Sequence, residues 1–279
     1  MTRDDPPAAH NDVAGTVRRR IARWRRGGVE TADDVVAEER PVAMACNGRA
    51  FAVMMATPHD LDDFALGFAL SEGLIREPSQ LLGVEIRELL EGTQLAMQVS
   101  EDAHGAHLDG ADDRLLPGRS GCGICGTRQL ETAVRQPAPV RGDIVLTHAA
   151  LERALAQLHE RQPMNLATGA VHAAAWATPD GAIALVREDV GRHNALDKLV
   201  GALHRAGLDP AAGFALVTSR ASYEMAMKAA SAGIGVLAAI SAPTALAIEL
   251  ARSVGLTLVG FARPGSHNVY THPQRLRDA

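Results

Sequence analysis

The spacing of apolar positions divides the chain into stretches of different period, and each period predicts an element. Between Val35 and Met55, short apolar runs flank Asn47-Gly48, a dipeptide that suits the two-residue turn of a hairpin. Leu61, Phe64, Ala65, Phe68 and Ala69 then fall on one helical face. Thr57 is the expected cap of that helix, with Pro58 in its first turn, Asp60 at the positive end of its dipole and Gly73 as its stop. Val84 to Leu89 and Gln94 to Val99 read as a second strand pair joined through Glu91-Gly92. From Glu101 to Gly118 the chain is rich in glycine, aspartate and histidine and reads as a long loop, in which His104 and His107 could bind metal but more often such histidines are just solvated. Thr127 to Val134 can form a short helix, and Pro137 and Pro139 make a stiff connector.

Beyond the connector, Thr147 caps a helix that buries Leu151, Leu155 and Leu158. Val171 to Ala177 and Ile183 to Arg187 flank the turn Thr178-Pro179-Asp180-Gly181 and form a hairpin. Helices over Asn194 to Ala206, Ser222 to Ala232 and Thr244 to Val254 then alternate with strands over Phe214 to Thr218, Val236 to Ile240 and Leu256 to Ala262. That rhythm predicts a parallel sheet covered on both faces. The expected class is α/β: a small N-terminal α+β domain (31–115), a connector (116–140) and an α/β domain (141–279). Residues 1–30 precede these as a basic, flexible tail, whose run Arg18 to Arg26 reads as a solvated, partly helical arm.

Composition narrows the function. The 279 residues are 47% hydrophobic but only 3% aromatic, so the core must be aliphatic and alanine-rich. A formal charge of −5 argues against general nucleic-acid binding. No apolar run is long enough to span a bilayer, and Met1 to His10 carries no export signal. With only three cysteines, a reducing cytoplasm is the expected compartment.

Two of those cysteines lie in Ser120-Gly121-Cys122-Gly123-Ile124-Cys125-Gly126. Flanking glycines favour an accessible bend over a packed core position. One pair plus Cys46 is a poor match to the four ligands of structural zinc, and the loop-like Leu115 to Arg119 does not open a thioredoxin-like βαβ unit. A zinc site, a redox pair and inert thiols stay open beside a mobile nucleophilic thiol that accepts and passes on a group such as sulfur.

The second concentration of chemistry is at strand ends, where open α/β sheets bind ligands. In order these are Glu188 to Asn194, Thr218-Ser219-Arg220, Ser241 to Thr244 and Arg263 to Asn268. Hydroxyls, arginines and helix N-termini suit a phosphate or pyrophosphate, although Ser and Thr also cap helices for purely structural reasons. His193, with Asp189, Arg192, Asp197 and Lys198 around it, could orient a ligand or shuttle protons; Asp197 is equally an i,i+4 partner of His193. Tyr223, Glu224 and Lys228 could join the site or lie on the helix surface, and Lys228 reads as a surface residue.

From about Glu39 to His272 the chain resembles the formate dehydrogenase accessory sulfurtransferase (FdhD) family. The resemblance is carried by the segments Asp63 to Ile75, Cys122 to Gly126, Glu188 to Lys198, Thr218 to Met225 and Phe261 to Tyr270. It implies a sulfur carrier: a cysteine desulfurase loads a persulfide on Cys122, with Cys125 in support, and the sulfur passes to the molybdenum of bis-molybdopterin guanine dinucleotide before that cofactor enters formate dehydrogenase. It places the guanine dinucleotide near the turn Phe261-Ala262-Arg263-Pro264-Gly265-Ser266, in agreement with an anion site formed by Thr218, Ser219, Arg220, Ser241, His193 and Asp197. The family's turn often carries Gly-Asp-Arg where this chain has Pro264-Gly265-Ser266, so Arg263, backbone amides or His267 must take over one charge contact. The resemblance further implies a homodimer and a larger, three-layer α/β/α domain similar in fold to cytidine deaminases. Deaminase activity is not expected, because the chain has no His-x-Glu and its CxxC lies upstream of the α/β repeat. Two other functional classes are a cofactor-binding chaperone whose thiols ligate metal, and a nucleotide-modifying hydrolase.

Overall fold

The computed structural model describes residues 13–107, 137–140 and 144–278. Cys122, Cys125, the Thr127 to Val134 segment and residues 108–118 of the long loop lie outside the described residues.

The described chain opens with an antiparallel ribbon of β1 (Thr16–Arg25) and β2 (Gly28–Ala37), not with the expected partly helical arm. Register explains the difference. Arg19, Arg20 and Arg23 stand opposite Asp34, Asp33 and Glu30, so these three basic positions face acidic ones across the ribbon. Arg23 lies 3.6 Å from Asp34 and Arg25 lies 3.8 Å from Glu30. Cross-strand pairs of opposite charge favour a ribbon, although exposed pairs stabilise it only slightly.

β3 (Arg40–Cys46) and β4 (Arg49–Ala56) turn at Asn47-Gly48, as the dipeptide predicts. They join β5 (Leu81–Glu88) and β6 (Thr93–Val99) in a sheet of order β4-β3-β6-β5, whose central pair β3/β6 is parallel. α1 (Leu61–Ser71) covers one face, and Phe64 and Phe68 pack with Val42, Met44, Leu95 and Met97. Burying each such side chain contributes on the order of 1.5–3 kcal/mol. Cys46 is in this core, where burial pushes its thiol up and leaves it unreactive.

Thr57 does not cap α1. The residue before the helix is Asp60, which has a left-handed backbone and makes no side-chain cap bond. Thr57 turns instead to the second half of the chain: its amide donates to Asp189 (3.0 Å), and its hydroxyl accepts from the amide of Val190 (3.2 Å).

The second half is built on a six-stranded sheet of order β13-β12-β11-β10-β8-β9. After the short β7 (Leu146–Thr147), which lies outside this sheet, its strands are β8 (His172–Ala177), β9 (Ile183–Asp189), β10 (Phe214–Val217), β11 (Val236–Ala239), β12 (Thr257–Arg263) and β13 (Ser266–Val269). Only β10, β11 and β12 are mutually parallel neighbours; β8 and β13 run against them, so the sheet is mixed. α4 (Arg192–Arg205), α5 (Tyr223–Ser231) and α6 (Ala245–Val254) cover one face through Leu196, Leu199, Met225 and Leu250. α2 (His148–Leu158) covers the other with Leu151, Leu155 and Leu158, while the short α3 (Pro163–Thr168) meets β2. Alternation does the sorting. Ala215 and Val217 point to the first face, Phe214 and Leu216 to the second. As expected, Thr147 caps α2 by accepting from the amide of Ala150 at 3.0 Å.

The halves meet where α1 crosses α4. A Cβ on Gly67 would stand 1.7 Å from the carbonyl oxygen of Asp197, and one on Gly201 would stand 1.9 Å from that of Asp63. Absent side chains therefore let the two backbones touch. Beside the crossing, Asp63 accepts from Arg187 Nε (2.8 Å) and from Arg205 Nη1 (3.1 Å).

Candidate functional site

The carboxyl edge of the larger sheet gathers most of the strand-end residues. Where β10 ends, the amide of Thr218 donates to Ala173 O (3.0 Å) and its hydroxyl accepts from Ala173 N (2.9 Å), tying β10 to β8. The amide of Ala221 donates to Ala242 O (3.2 Å), that of Thr244 to Ala221 O (3.0 Å), and that of Phe261 to Ser241 O (3.1 Å). Thr218-Ser219-Arg220, Ser241 and the Phe261 to Ser266 turn thus form one continuous shelf. Two helices start from it, capped by Ser222 and Thr244. Arg220 and Arg263 are exposed there, and Ser219 is buried behind them.

The turn after β12 is unusual in its backbone. Phe261 has φ of 50°, and the register of β12 against β13 shifts between Gly260 and Arg263. A bulky residue in the left-handed region is strained, and such strain clusters at ligand sites. The bulge leaves Ala262 buried and the Phe261 ring 39% exposed at the rim. Pro264-Gly265 makes the bend, with Gly265 at φ of 82° and its amide donating to Glu152 Oε2 (2.9 Å). Below it, His267 Nε2 and His148 Nδ1 lie 2.7 Å apart, with ring centroids at 4.9 Å. Burial and the His148 ring push His267 down, against the pull of Glu152. Hence α2 braces the turn from beneath.

His193 and Asp197 are not on the exposed rim of the shelf. Both are buried on α4, at the seam with α1 and α5. Asp197 accepts from Ser71 Oγ (2.6 Å) and, through both oxygens, from Lys228 Nζ (2.9 and 2.8 Å). Lys228 also donates to Ser71 Oγ and Glu72 Oε1, each at 2.9 Å. It is therefore a core residue, and the expectation of a surface lysine is corrected. The helix Tyr223-Glu224-Met225-Ala226-Met227-Lys228-Ala229-Ala230 is buried all round, and its buried cation requires partners. Burial opposes the Lys228 charge, yet Asp197, Glu72 and Glu224 outweigh it and hold the ammonium above the usual lysine range. A second buried pair, Lys198 Nζ to Asp189 Oδ2 at 2.6 Å, is completed by a bond from Lys198 to Thr57 O (2.9 Å).

His193 Nε2 lies 3.1 Å from Glu224 Oε2, so Glu224 belongs to this cluster and not to the helix surface. His172, which sequence reading passed over, stands nearby at the start of β8, half-buried and pushed down by burial and by Arg192. Burial, then the charges of Arg192 and Lys228, drive His193 down to about 2. An unfolded imidazole takes up its proton near pH ~6.5. The unfolded state thus binds the extra proton between about pH 6.5 and 2, and stability falls as pH drops through that window. Lowering pH from 7 to 5 should therefore cost the native chain about 2 kcal/mol more than it costs His193→Gln. Urea midpoints of both proteins at the two pH values check this, and equal slopes would refute it.

Comparison with known proteins connects this geometry to its relatives. The family model described as the FdhD/NarQ family matches residues 37–277. The chain belongs to the FdhD/NarQ family. Among curated relatives, "Sulfur carrier protein FdhD" of Xanthomonas euvesicatoria pv. vesicatoria (strain 85-10) is 55% identical over 270 residues, covering 97% of this chain and 95% of the relative. The protein of the same name from Cupriavidus necator (strain H16) is 51% identical, covering 98% and 92%. A crystal structure from Desulfotalea psychrophila, described as a formate dehydrogenase accessory protein, aligns with a TM-score of 0.72 at 25% identity and covers 94% of this chain and 99% of that one. In this family member two of the segments that carry the resemblance, Asp63 to Ile75 and Glu188 to Lys198, meet at the α1–α4 seam. Among the described residues no helix is long and apolar enough to cross a membrane, and no cluster of three His, Cys, Asp or Glu is arranged to hold a metal ion.

Proposed function

We propose that this chain is a sulfur carrier that serves formate dehydrogenase by sulfurating its bis-molybdopterin guanine dinucleotide in a reducing cytoplasm. The observation that supports the reading most is the shelf itself. It combines an exposed, backbone-strained Phe261 ring with hydroxyls, helix starts and the exposed Arg220 and Arg263. An aromatic face suits a guanine base, and arginines with helix N-termini suit its pyrophosphate. The names of relatives at 51–55% identity support the carrier role.

Chemistry then falls to the two thiols outside the described residues. A cysteine desulfurase persulfide exchanges its outer sulfur with the Cys122 thiol, leaving the donor as a thiol and Cys122 as a persulfide. Attack by the Cys125 thiolate on the inner sulfur of Cys122 forms a disulfide and releases hydrosulfide, the two electrons coming from Cys125. Hydrosulfide is the sulfur species delivered to the cofactor, which is substrate here. A cellular thiol reductant then restores the pair. Two such carriers act together as a homodimer.

The test is mass spectrometry after incubation with a cysteine desulfurase and cysteine. The native chain should gain one sulfur, Cys122→Ala should gain none, and Cys125→Ala should hold its sulfur without releasing it. Stoichiometric zinc on the pair with no sulfur adduct would overturn the reading in favour of a metal-binding chaperone.

A further inference from the structure

β5 forms the outer edge of the N-terminal sheet, and no strand pairs with its free side among the described residues. Natural edge strands are commonly protected by charges or bulges, because open backbone groups template pairing. This strand carries charge, but in an order that invites one particular neighbour. Its sequence runs Leu82-Gly83-Val84-Glu85-Ile86-Arg87-Glu88, followed by Leu89-Leu90. Glu85 and Arg87 flank Ile86 on the sheet's outer face, both exposed and joined by a 2.5 Å bond from Arg87 Nη2. Within the strand Ile86 is 40% exposed; Leu82 (66%) stands at a bulge where the register against β6 shifts between Leu81 and Gly83, and Leu90 (102%) lies in the turn after the strand, so the regular open edge runs from Gly83 to Glu88.

We propose that β5 pairs antiparallel with β5 of a second copy of this chain, about a two-fold axis at Ile86. In such a pair, position 86+k faces position 86−k of the other copy. Ile86 then meets its own counterpart, and Glu85 faces Arg87 twice. A shift of register by one residue would lose the charge match. Val84 opposite Glu88 is the one unfavourable pairing, and Glu88 is held aside by Arg40 Nη1 (3.3 Å) and Thr93 Oγ1 (3.1 Å). The two four-stranded sheets become one sheet of twice the width. The proposal rests on the homodimer reading above and names its surface.

Charge reversal tests it. By light scattering at micromolar concentration, the native chain should be a dimer. Glu85→Arg sets arginine against Arg87 at two symmetric places, and Arg87→Glu sets glutamate against Glu85. Each single variant should weaken dimerisation about tenfold or more. The double variant Glu85→Arg/Arg87→Glu restores opposite charges across the axis and should restore the dimer. It carries both replacements, so its recovery also shows that the single variants lose pairing and not folding. A dimer indifferent to either single reversal would overturn this surface while leaving the homodimer reading intact. A native monomer would overturn both.

Discussion

Gly67→Ala will cost the protein on the order of 3 kcal/mol or more, and will be the most damaging alanine replacement among the described glycines. The new carbon would lie 1.7 Å from the carbonyl oxygen of Asp197, 2.6 Å from its carbonyl carbon and 2.8 Å from the amide nitrogen of Gly201. All three are backbone atoms, so no side-chain rotation relieves the clash. Adding a methylene to a packed core typically costs about 1–3 kcal/mol even when side chains can move. Here α1 must lift from α4, which loosens Phe64 and Phe68 and pulls Asp63 from Arg187 and Arg205. The intrinsic helix preference for alanine over glycine, about 1 kcal/mol, works in the other direction and is too small to win. Urea and thermal midpoints of Gly67→Ala and Gly201→Ala measure the effect. Native-like midpoints for both would mean that the helices do not touch.

The second large effect is at Lys228. Lys228→Met leaves the Asp197 carboxylate buried with Ser71 as its remaining donor, and removing one partner of a buried ion pair costs about 3–5 kcal/mol. Replacing both partners with apolar residues of similar size removes the charges together, and such exchanges are often close to neutral. Lys228→Met/Asp197→Leu should therefore recover most of the loss. A double-mutant cycle reads the coupling directly. Additive losses in the two single variants would show that the pair is not formed. Glu72, which also accepts from Lys228, adds a smaller term at the rim of the same cluster.

Much of this architecture is legible before folding is considered. The strands and helices after Val171 fall where their apolar runs end, because each run is buried and each gap carries a Ser or Thr cap or a turn. The strand-end shelf is legible for the same reason: residues beyond parallel strands must emerge at one edge. Less visible is what depends on pairing across long separations. Arg18 to Arg26 looks like a solvated arm until Glu30, Asp33 and Asp34 are laid opposite it. Thr57 has the sequence context of a cap, yet its partners are Asp189 and Val190, more than 130 positions away. Lys228 follows Glu224 at the i,i+4 spacing of a surface pair, and only the all-apolar remainder of α5 signals burial. His193 and Asp197 share a segment with strand-end residues, but both side chains are buried among carboxylates and a lysine.

The glycine crossing also governs how a large ligand can arrive. Backbone pressed on backbone, with two lysine–carboxylate pairs sealed beside it, leaves no slack for the halves to hinge like a clamshell. The guanylated pterin proposed as its substrate would therefore settle on a shelf already open to solvent, and its association rate should track collision with that rim instead of any slow opening of the body.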